Sequence, residues 1–298
     1  MRLDKLGEFG LIDRIRKMIK TDSSVIKGSG DDCAVLKFDK GRYLLATCDT
    51  IVEGVDFVRK DKPYLIGRKS LAVSLSDIAA CAGIPRYALV SLGLPKRYTV
   101  EFVDSLYKGI RDLAKRYELN LIGGDLSRAE RLFINTSVLG WVEKRYLVLR
   151  NGARVGDIIF VTGTLGDSHL GGHLRFQPRI KEARFLVRNF KINAMIDISD
   201  GLIQDLSHIL EESRVGAVIY ETLLPQARYI HNLKDILYRG EDFELLFSLS
   251  NKEAKRLLRK RLPIFSPIGE IVKKNYGLIL IDKDNRKKQL AIRGLQHF

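Results

Sequence analysis

An aspartate set against an apolar run recurs along this chain, and that recurrence constrains the fold more than any other feature. Residues 43–57 read Tyr-Leu-Leu-Ala-Thr-Cys-Asp-Thr-Ile-Val-Glu-Gly-Val-Asp-Phe, a run of strand formers that breaks into Asp49, Glu53 and Asp56. The arrangement returns at Gly30-Asp31-Asp32, Ser76-Asp77, Gly123-Gly124-Asp125 and Asp197-Ile198-Ser199-Asp200-Gly201. A single aspartate after a strand is an ordinary turn or cap residue. Several at strand ends place carboxylates on the rim of a sheet, where loops build sites. Carboxylates held close together repel one another and resist ionisation unless cations neutralise them. Such an oxygen-rich cluster suits Mg²⁺, which keeps waters and completes its shell with phosphate oxygens.

The 298 residues are enough for two cores, and 45% hydrophobic with 29% charged residues is ordinary for a soluble globular protein. The three cysteines, Cys33, Cys48 and Cys81, form no CxxC pair and are odd in number, which argues against a disulfide framework and for a reducing compartment. No apolar run reaches membrane-spanning length, so no membrane is expected. The first nine residues carry acids and no long apolar stretch, so they do not read as a signal peptide, and the cytoplasm is the expected location. A net charge of +15 suggests nucleic acid as a partner, since Lys and Arg neutralise phosphates. The basic residues are scattered, however. Their densest run, residues 252–261, reads as an amphipathic helix with a solvated charged face, and no zinc-finger spacing or RNP-like motif occurs. Direct nucleic-acid binding is therefore disfavoured against steering of small anionic substrates.

Periodicity predicts a helix over residues 8–20, a flexible Gly28–Asp32 loop, and a hairpin of two strands, 33–38 and the run into Asp49. Residues 64–81 form the most informative helix. Leu71, Leu75, Ile78 and Ala82 make one apolar stripe, and Gly67, Ser70, Ser74, Asp77 and Cys81 make a second stripe of small or polar residues. A helix apolar on most sides is buried. Asp77 on it must be paired, for instance with Arg68 or Lys69, or bound to metal. A strand over 87–94, an amphipathic helix over 102–117, a short strand over 119–122 ending at the paired glycines, and a long alternating strand over 132–142 follow; the last is read as an exposed edge. The glycines either let a ligand approach the backbone or make a turn. A polar connection at 150–157 places the boundary between domains 1–148 and 149–298. Beyond it come a strand over 158–162, a strand-to-helix junction at 195–201 with Ser199 as the N-cap and Asp200 in the first turn, a strand after Glu241 and Asp242, and a closing hairpin over 276–288. Neither a Walker A loop nor a GxGxxG nor a protein-kinase signature is present, so any ATP is bound by another scheme. The fold class is α/β with two domains.

Seven motifs appear in order: Gly-Asp-Asp-Cys-Ala-Val-Leu, Cys-Asp-Thr-Ile-Val-Glu-Gly-Val-Asp-Phe, Leu-Ala-Val-Ser-Leu-Ser-Asp-Ile-Ala-Ala, Leu-Ile-Gly-Gly-Asp, Val-Thr-Gly-Thr-Leu-Gly-Asp-Ser, Asp-Ile-Ser-Asp-Gly-Leu and Gly-Glu-Asp-Phe-Glu-Leu-Leu-Phe. Together they resemble the thiamine-monophosphate kinases of the aminoimidazole-ribonucleotide-synthetase-like superfamily, from about Gly7 to the last residue. The resemblance implies an N-terminal α/β domain that dimerises through its strands and a C-terminal α/β domain. It implies transfer of the γ-phosphoryl of ATP to thiamine monophosphate in a homodimer. It further implies Mg²⁺ held by Asp32, Asp49, Asp77, Asp125, Asp197 and Asp200, with Thr47 and Cys48 beside them; Asp49 and Asp200 are the catalytic pair. ATP contacts would come from Tyr107, Gly124, Asp125, Arg150 and Ser199, and acceptor contacts from Asp56, Glu241 and Ile292.

This sequence departs from the family pattern at four positions. Asp56 stands where the family has a histidine of the substrate site, Cys48 where it has Thr, Ser74 where it has Asn, and Ile292 where an aromatic residue packs on thiamine. The segment 172–196 is also shorter. The metal and nucleotide side is kept while the acceptor side is altered. The alternative reading is accordingly another ATP-dependent kinase or synthetase of the superfamily, acting on a different phosphorylated acceptor. A non-catalytic binding protein would lack the metal carboxylates, and all are present.

Overall fold

The computed structural model describes residues 3–230 and 232–294. Helix α1 (Leu3–Met18), kinked at Gly7, leads into β1 (Val25–Lys27), β2 (Ala34–Lys37), β3 (Arg42–Val52), α2 (Pro63–Ala80), β4 (Ile84–Leu94), α3 (Val100–Arg116), β5 (Asn120–Arg128) and β6 (Phe133–Glu143). The expected hairpin is β2–β3. Its turn is set by Asp39, whose carboxylate accepts from the backbone N–H groups of Gly41 and Arg42 at 2.8 and 2.7 Å. The six strands form one sheet in the order β1-β2-β3-β6-β4-β5.

Strand β6 therefore lies between β3 and β4, in the interior of the sheet rather than at the edge expected for it. Its alternation reports only that one face is covered. It does not report who pairs on either side. The free edge beyond β4 belongs to β5, which runs on through Gly123, Gly124 and Asp125 instead of stopping before them. Likewise β3 does not end at Asp49 but continues to Val52, pairing with β6 over its whole length.

Helices α2 and α3 cover one face of this sheet. They approach so closely that a Cβ on Gly67 would stand 2.0 Å from the carbonyl oxygen of Leu106, and one on Gly109 1.9 Å from that of Tyr64. The small residue Gly67 in the second stripe of α2 is thus a packing requirement. The other face, with Tyr87 43% and Leu89 41% exposed, is left uncovered among the described residues.

The second half contributes β7 (Asp157–Thr162), α4 (Ile180–Asn189), β8 (Ile192–Asp197), α5 (Leu202–Ser213), β9 (Val215–Tyr220), α6 (Leu233–Tyr238), β10 (Leu245–Ser250), α7 (Asn251–Leu258), β11 (Phe265–Lys273), β12 (Leu278–Ile281) and β13 (Lys287–Gln289). Its seven strands are ordered β13-β12-β9-β11-β7-β10-β8. The predicted basic helix is α7, with Ala254 and Leu257 buried and its charges in solvent. One core joins α2 and the first sheet to α4 and to Phe160, Met195 and Phe247 of the second sheet. A separate core lies under α5. Helix α2 is packed against β3 and β6 on one side and against α4 and β8 on the other, which is why its sequence is apolar on most sides. Asp77 near its C-terminal end thereby meets the last residue of β8, Asp197.

Gly109→Ala is expected to destabilise the chain by about 1–3 kcal/mol through forced separation of α2 and α3. The check is a urea titration, in which the midpoint should fall and the slope stay unchanged.

Candidate active site

Four segments deliver carboxylates to one place. Asp32 precedes β2, Asp77 lies on α2 and Asp197 ends β8; one ligand oxygen from each lies within 4.8 Å of the others. Asp49 on β3 joins them by sharing a hydrogen bond with Asp77, and its Oδ2 stands 2.7 Å from Ser74 Oγ. Thr47, two residues earlier and on the same face of β3, donates its hydroxyl to Asp77 Oδ2. Strand alternation turns the intervening Cys48 the other way, where Asn135 Nδ2 lies 3.3 Å from its Sγ. The Cys48 thiol is thus no member of the cluster, and only its backbone carbonyl remains as a possible contact. The salt bridge considered for Asp77 is not formed: Arg68 donates to the carbonyl oxygens of Leu174 and Phe176, and Lys69 to Asp56, Glu241 and His173.

Burial and crowding outweigh the one neighbouring guanidinium, Arg150, in setting the electrostatics. Burial, then Asp49, Asp197 and Asp32, hold the Asp77 carboxyl well above the usual carboxylate range. Burial and then Asp32 push Asp197 up to about 8. Asp49 is raised as well, chiefly by burial. Arg150 Nη2 donates to Asp32 Oδ1 at 2.6 Å. Asp32 Oδ2 and Asp197 Oδ2 are buried with no hydrogen-bond partner among the described residues. Two orphaned carboxylate oxygens from separate segments, beside two further carboxylates that resist ionisation, form a donor set that fits a hard divalent cation.

The remaining predicted residues fall into three clefts. Arg150, Ser199 and Asp200 line one of about 840 Å³, together with Ile292. Ser199 is not the cap of α5. The helix begins at Leu202 after Gly201, whose φ is +117°, and the Asp205 carboxylate accepts from the N–H groups of Asp200 and Gly201 at 3.0 Å each. Asp200 consequently stands ahead of the helix, not in its first turn. Ile292 belongs to this cleft and does not meet Asp56 or Glu241.

Tyr107, Gly124 and Asp125 share a second cleft, of about 570 Å³, beside β5. The register runs Asp49–Thr136–Val90–Gly124 across four strands, so this group stands roughly 14 Å from Asp49, three strand spacings away. Asp125, one residue on, points to the opposite face. One cation cannot be bound by Asp125 and the Asp32–Asp77–Asp197 group of the same chain. Gly124 is needed where it is because a Cβ there would lie 1.8 Å from the carbonyl oxygen of Val90.

Asp56 and Glu241 do come together, in a third cleft of about 470 Å³ that also holds His173 and Arg239. Glu241 and Phe243 have φ of +69° and +51°, backbone that L residues rarely adopt. The strain is held by bonds from Glu241 N to the Ser199 carbonyl at 2.7 Å and from Phe243 N to that of Ile198 at 2.8 Å. Gly240 makes the approach possible, since a Cβ there would meet the Ser199 oxygen at 2.4 Å. The 239–243 loop is thereby clamped to the segment that follows Asp197.

Sequence reasoning missed Lys69 and His173. Lys69 is 0% exposed and donates to the Asp56 carbonyl at 2.6 Å and to the Glu241 carboxylate. Its signal was available: a lysine on a helix that is buried all round needs a partner as much as Asp77 does. His173 gave no signal, sitting in a glycine-rich segment after β7 with no periodic context.

The fold is that of the AIR synthase related proteins: residues 30–142 match the N-terminal domain of that class and residues 159–281 its C-terminal domain. The thiamine-monophosphate kinase of Bacillus subtilis (strain 168) is 36% identical to this chain, over 98% of it and 100% of the relative. The solved structure of AaThiL complexed with AMPPCP and TMP superposes with a TM-score of 0.88 at 32% identity, covering 100% of this chain and 99% of the other. The thiamine-monophosphate kinase structure from Aquifex aeolicus gives a TM-score of 0.80 at 30% identity, covering 97% and 100%. The chain belongs to the thiamine-monophosphate kinase family.

Removing divalent cations should lower the melting temperature, by a margin that widens from about pH 5 to about pH 8. A carboxyl whose folded pKa is raised stabilises the fold while protonated. That contribution is lost as pH climbs from the ordinary carboxylate value through the raised one, unless a cation compensates the charge. Asp77→Asn should raise the melting temperature in EDTA and shrink the cation-dependent increase. Thermal melts with and without EDTA across that pH range check both.

Proposed function

We propose that this chain transfers the γ-phosphoryl group of ATP to thiamine monophosphate, giving thiamine diphosphate and ADP. The observation that carries this reading is the junction of Asp32, Asp49, Asp77 and Asp197, with two unpartnered oxygens, bonded through Asp32 to Arg150 of one cleft and interacting through Asp49 with Asp56 of another. Family membership supports it, as does the likeness to AaThiL complexed with AMPPCP and TMP. The acceptor is an ionised phosphate, so its oxygen needs no general base. That oxygen attacks the γ-phosphorus, the bond to the β-bridging oxygen breaks, and ADP leaves. Catalysis then rests on positioning and charge neutralisation.

Mg²⁺ is the proposed cation, with Asp32, Asp49, Asp77 and Asp197 as its ligands and Asp200 at the rim; when bound it offsets the charge of the phosphates. Thr47 orients Asp77, and Ser74 orients Asp49. Arg150, held by Asp32, presents a fixed positive charge to the nucleotide cleft. The clamped 239–243 loop keeps the acceptor cleft in register with the phosphates. We also assign a homodimer, formed through the uncovered face of the first sheet. Its support is the exposure of Tyr87 and Leu89 there, and the distance that separates Tyr107, Gly124 and Asp125 from the carboxylates of their own chain. A second copy is the source that would complete the nucleotide site. The division into domains 1–148 and 149–298 and a cytoplasmic place of action belong to the same proposal. No helix among the described residues is long and apolar enough to cross a membrane.

Incubation with ATP, Mg²⁺ and thiamine monophosphate should yield thiamine diphosphate and ADP in equal amounts by chromatography, and nothing in EDTA. ATP binding without thiamine diphosphate would make the acceptor wrong. Asp49→Asn should lower kcat by about 10²–10³-fold, the loss typical of one electrostatic contact to the transition state.

A further inference from the structure

The acceptor cleft contains a hydrogen-bonding arrangement that fixes one proton. Lys69 is fully buried, and its ammonium carries three N–H donors and no acceptor. It faces three acceptors: the Asp56 carbonyl at 2.6 Å, a Glu241 carboxylate oxygen, and His173 Nδ1 at 2.8 Å. Nδ1 of His173 must therefore keep its lone pair, and the ring proton sits on Nε2. Nε2 lies across the ring from Lys69, and the side chain lines the cleft. Burial first, and then the Lys69 charge, hold His173 below the usual histidine range, so the ring stays neutral.

The ring is also held in place. Arg68, next to Lys69 on α2, donates to the carbonyl oxygens of Leu174 and Phe176, and Phe176 stacks on Phe243 with centroids 4.1 Å apart. Glu241 Oε2 lies 3.5 Å from His173 Nδ1, on the Lys69 side of the ring. The cleft thus presents a carboxylate acceptor beside an N–H donor. An aminopyrimidine edge offers the complement: an exocyclic amine that donates and a ring nitrogen that accepts.

We propose that His173 is a specificity-determining residue for the acceptor, its Nε2–H donating to a ring nitrogen of the aminopyrimidine while Glu241 accepts from the amine. The inference rests on the thiamine monophosphate reading. It assigns the imidazole of this cleft to the segment after β7, in a chain that carries Asp56 where the resemblance expects histidine.

The test is steady-state kinetics of wild type, His173→Ala and His173→Gln with ATP–Mg²⁺ and two acceptors, thiamine monophosphate and the thiazole phosphate that lacks the pyrimidine. His173→Ala should raise KM for thiamine monophosphate about tenfold, the value of one hydrogen bond, with kcat and KM for ATP held within about twofold. Gln, which places an N–H near the position of Nε2, should recover most of that loss. Turnover of the thiazole phosphate, however poor, should respond equally little to all three. An unchanged KM in His173→Ala overturns the proposal, as does an equal effect on the thiazole phosphate. A Gln variant as impaired as Ala reduces His173 to a packing role and overturns it too. Absence of thiamine diphosphate with the wild type removes the functional reading itself, and the proposal with it; that outcome is distinct from a kinase whose KM ignores residue 173.

Discussion

Repulsion among carboxylates is the constraint on which the rest of this structure depends. Asp32, Asp49, Asp77 and Asp197 come from a loop, a strand, a helix and a second strand, and from both halves of the chain. Nothing in their own chemistry favours the meeting. They are held together by the core that joins α2 to both sheets, and by hydroxyls from Thr47 and Ser74 that orient the acids without neutralising them. Stability is thereby conceded at the centre and made up in the packing around it, the usual sign that a site is built for a ligand bringing compensating charge.

Much of this was legible in the sequence. Two α/β halves, the buried helix, the hairpin of β2 and β3, and the convergence of aspartates all follow from periodicity and from the physical cost of an acid in apolar surroundings. The departures have separate causes. Alternation along residues 132–142 gives a strand with one covered face, and whether such a strand is central or terminal depends on pairing with strands distant in sequence. Ser199 looks like a cap by composition, yet the backbone turns at Gly201 and Asp205 reaches back to the N–H groups of Asp200 and Gly201 ahead of the helix. Cys48 sits between Thr47 and Asp49, and a period of two sends it to the other face.

Within one chain, the site residues taken from resemblance occupy three separate clefts. Ile292 lies beside Arg150 and Asp200, away from the acceptor cleft, and Asp125 lies three strands from Asp49. Lys69 is the converse case. Lys69 was set aside as one candidate partner for Asp77, although it is the residue around which the acceptor cleft is arranged.

Helix α2 therefore functions as a measuring rod. Lys69 and Asp77 are eight positions apart, about 12 Å along the axis and about 80° around it. One end addresses the acceptor cleft and the other the phosphate-handling acids, with no loop between them to absorb an error. Deleting a single residue from that stretch would shorten the rod by about 1.5 Å and swing one end by about 100° relative to the other. Substitution can retune either end, but the spacing between the two ends is not open to gradual change.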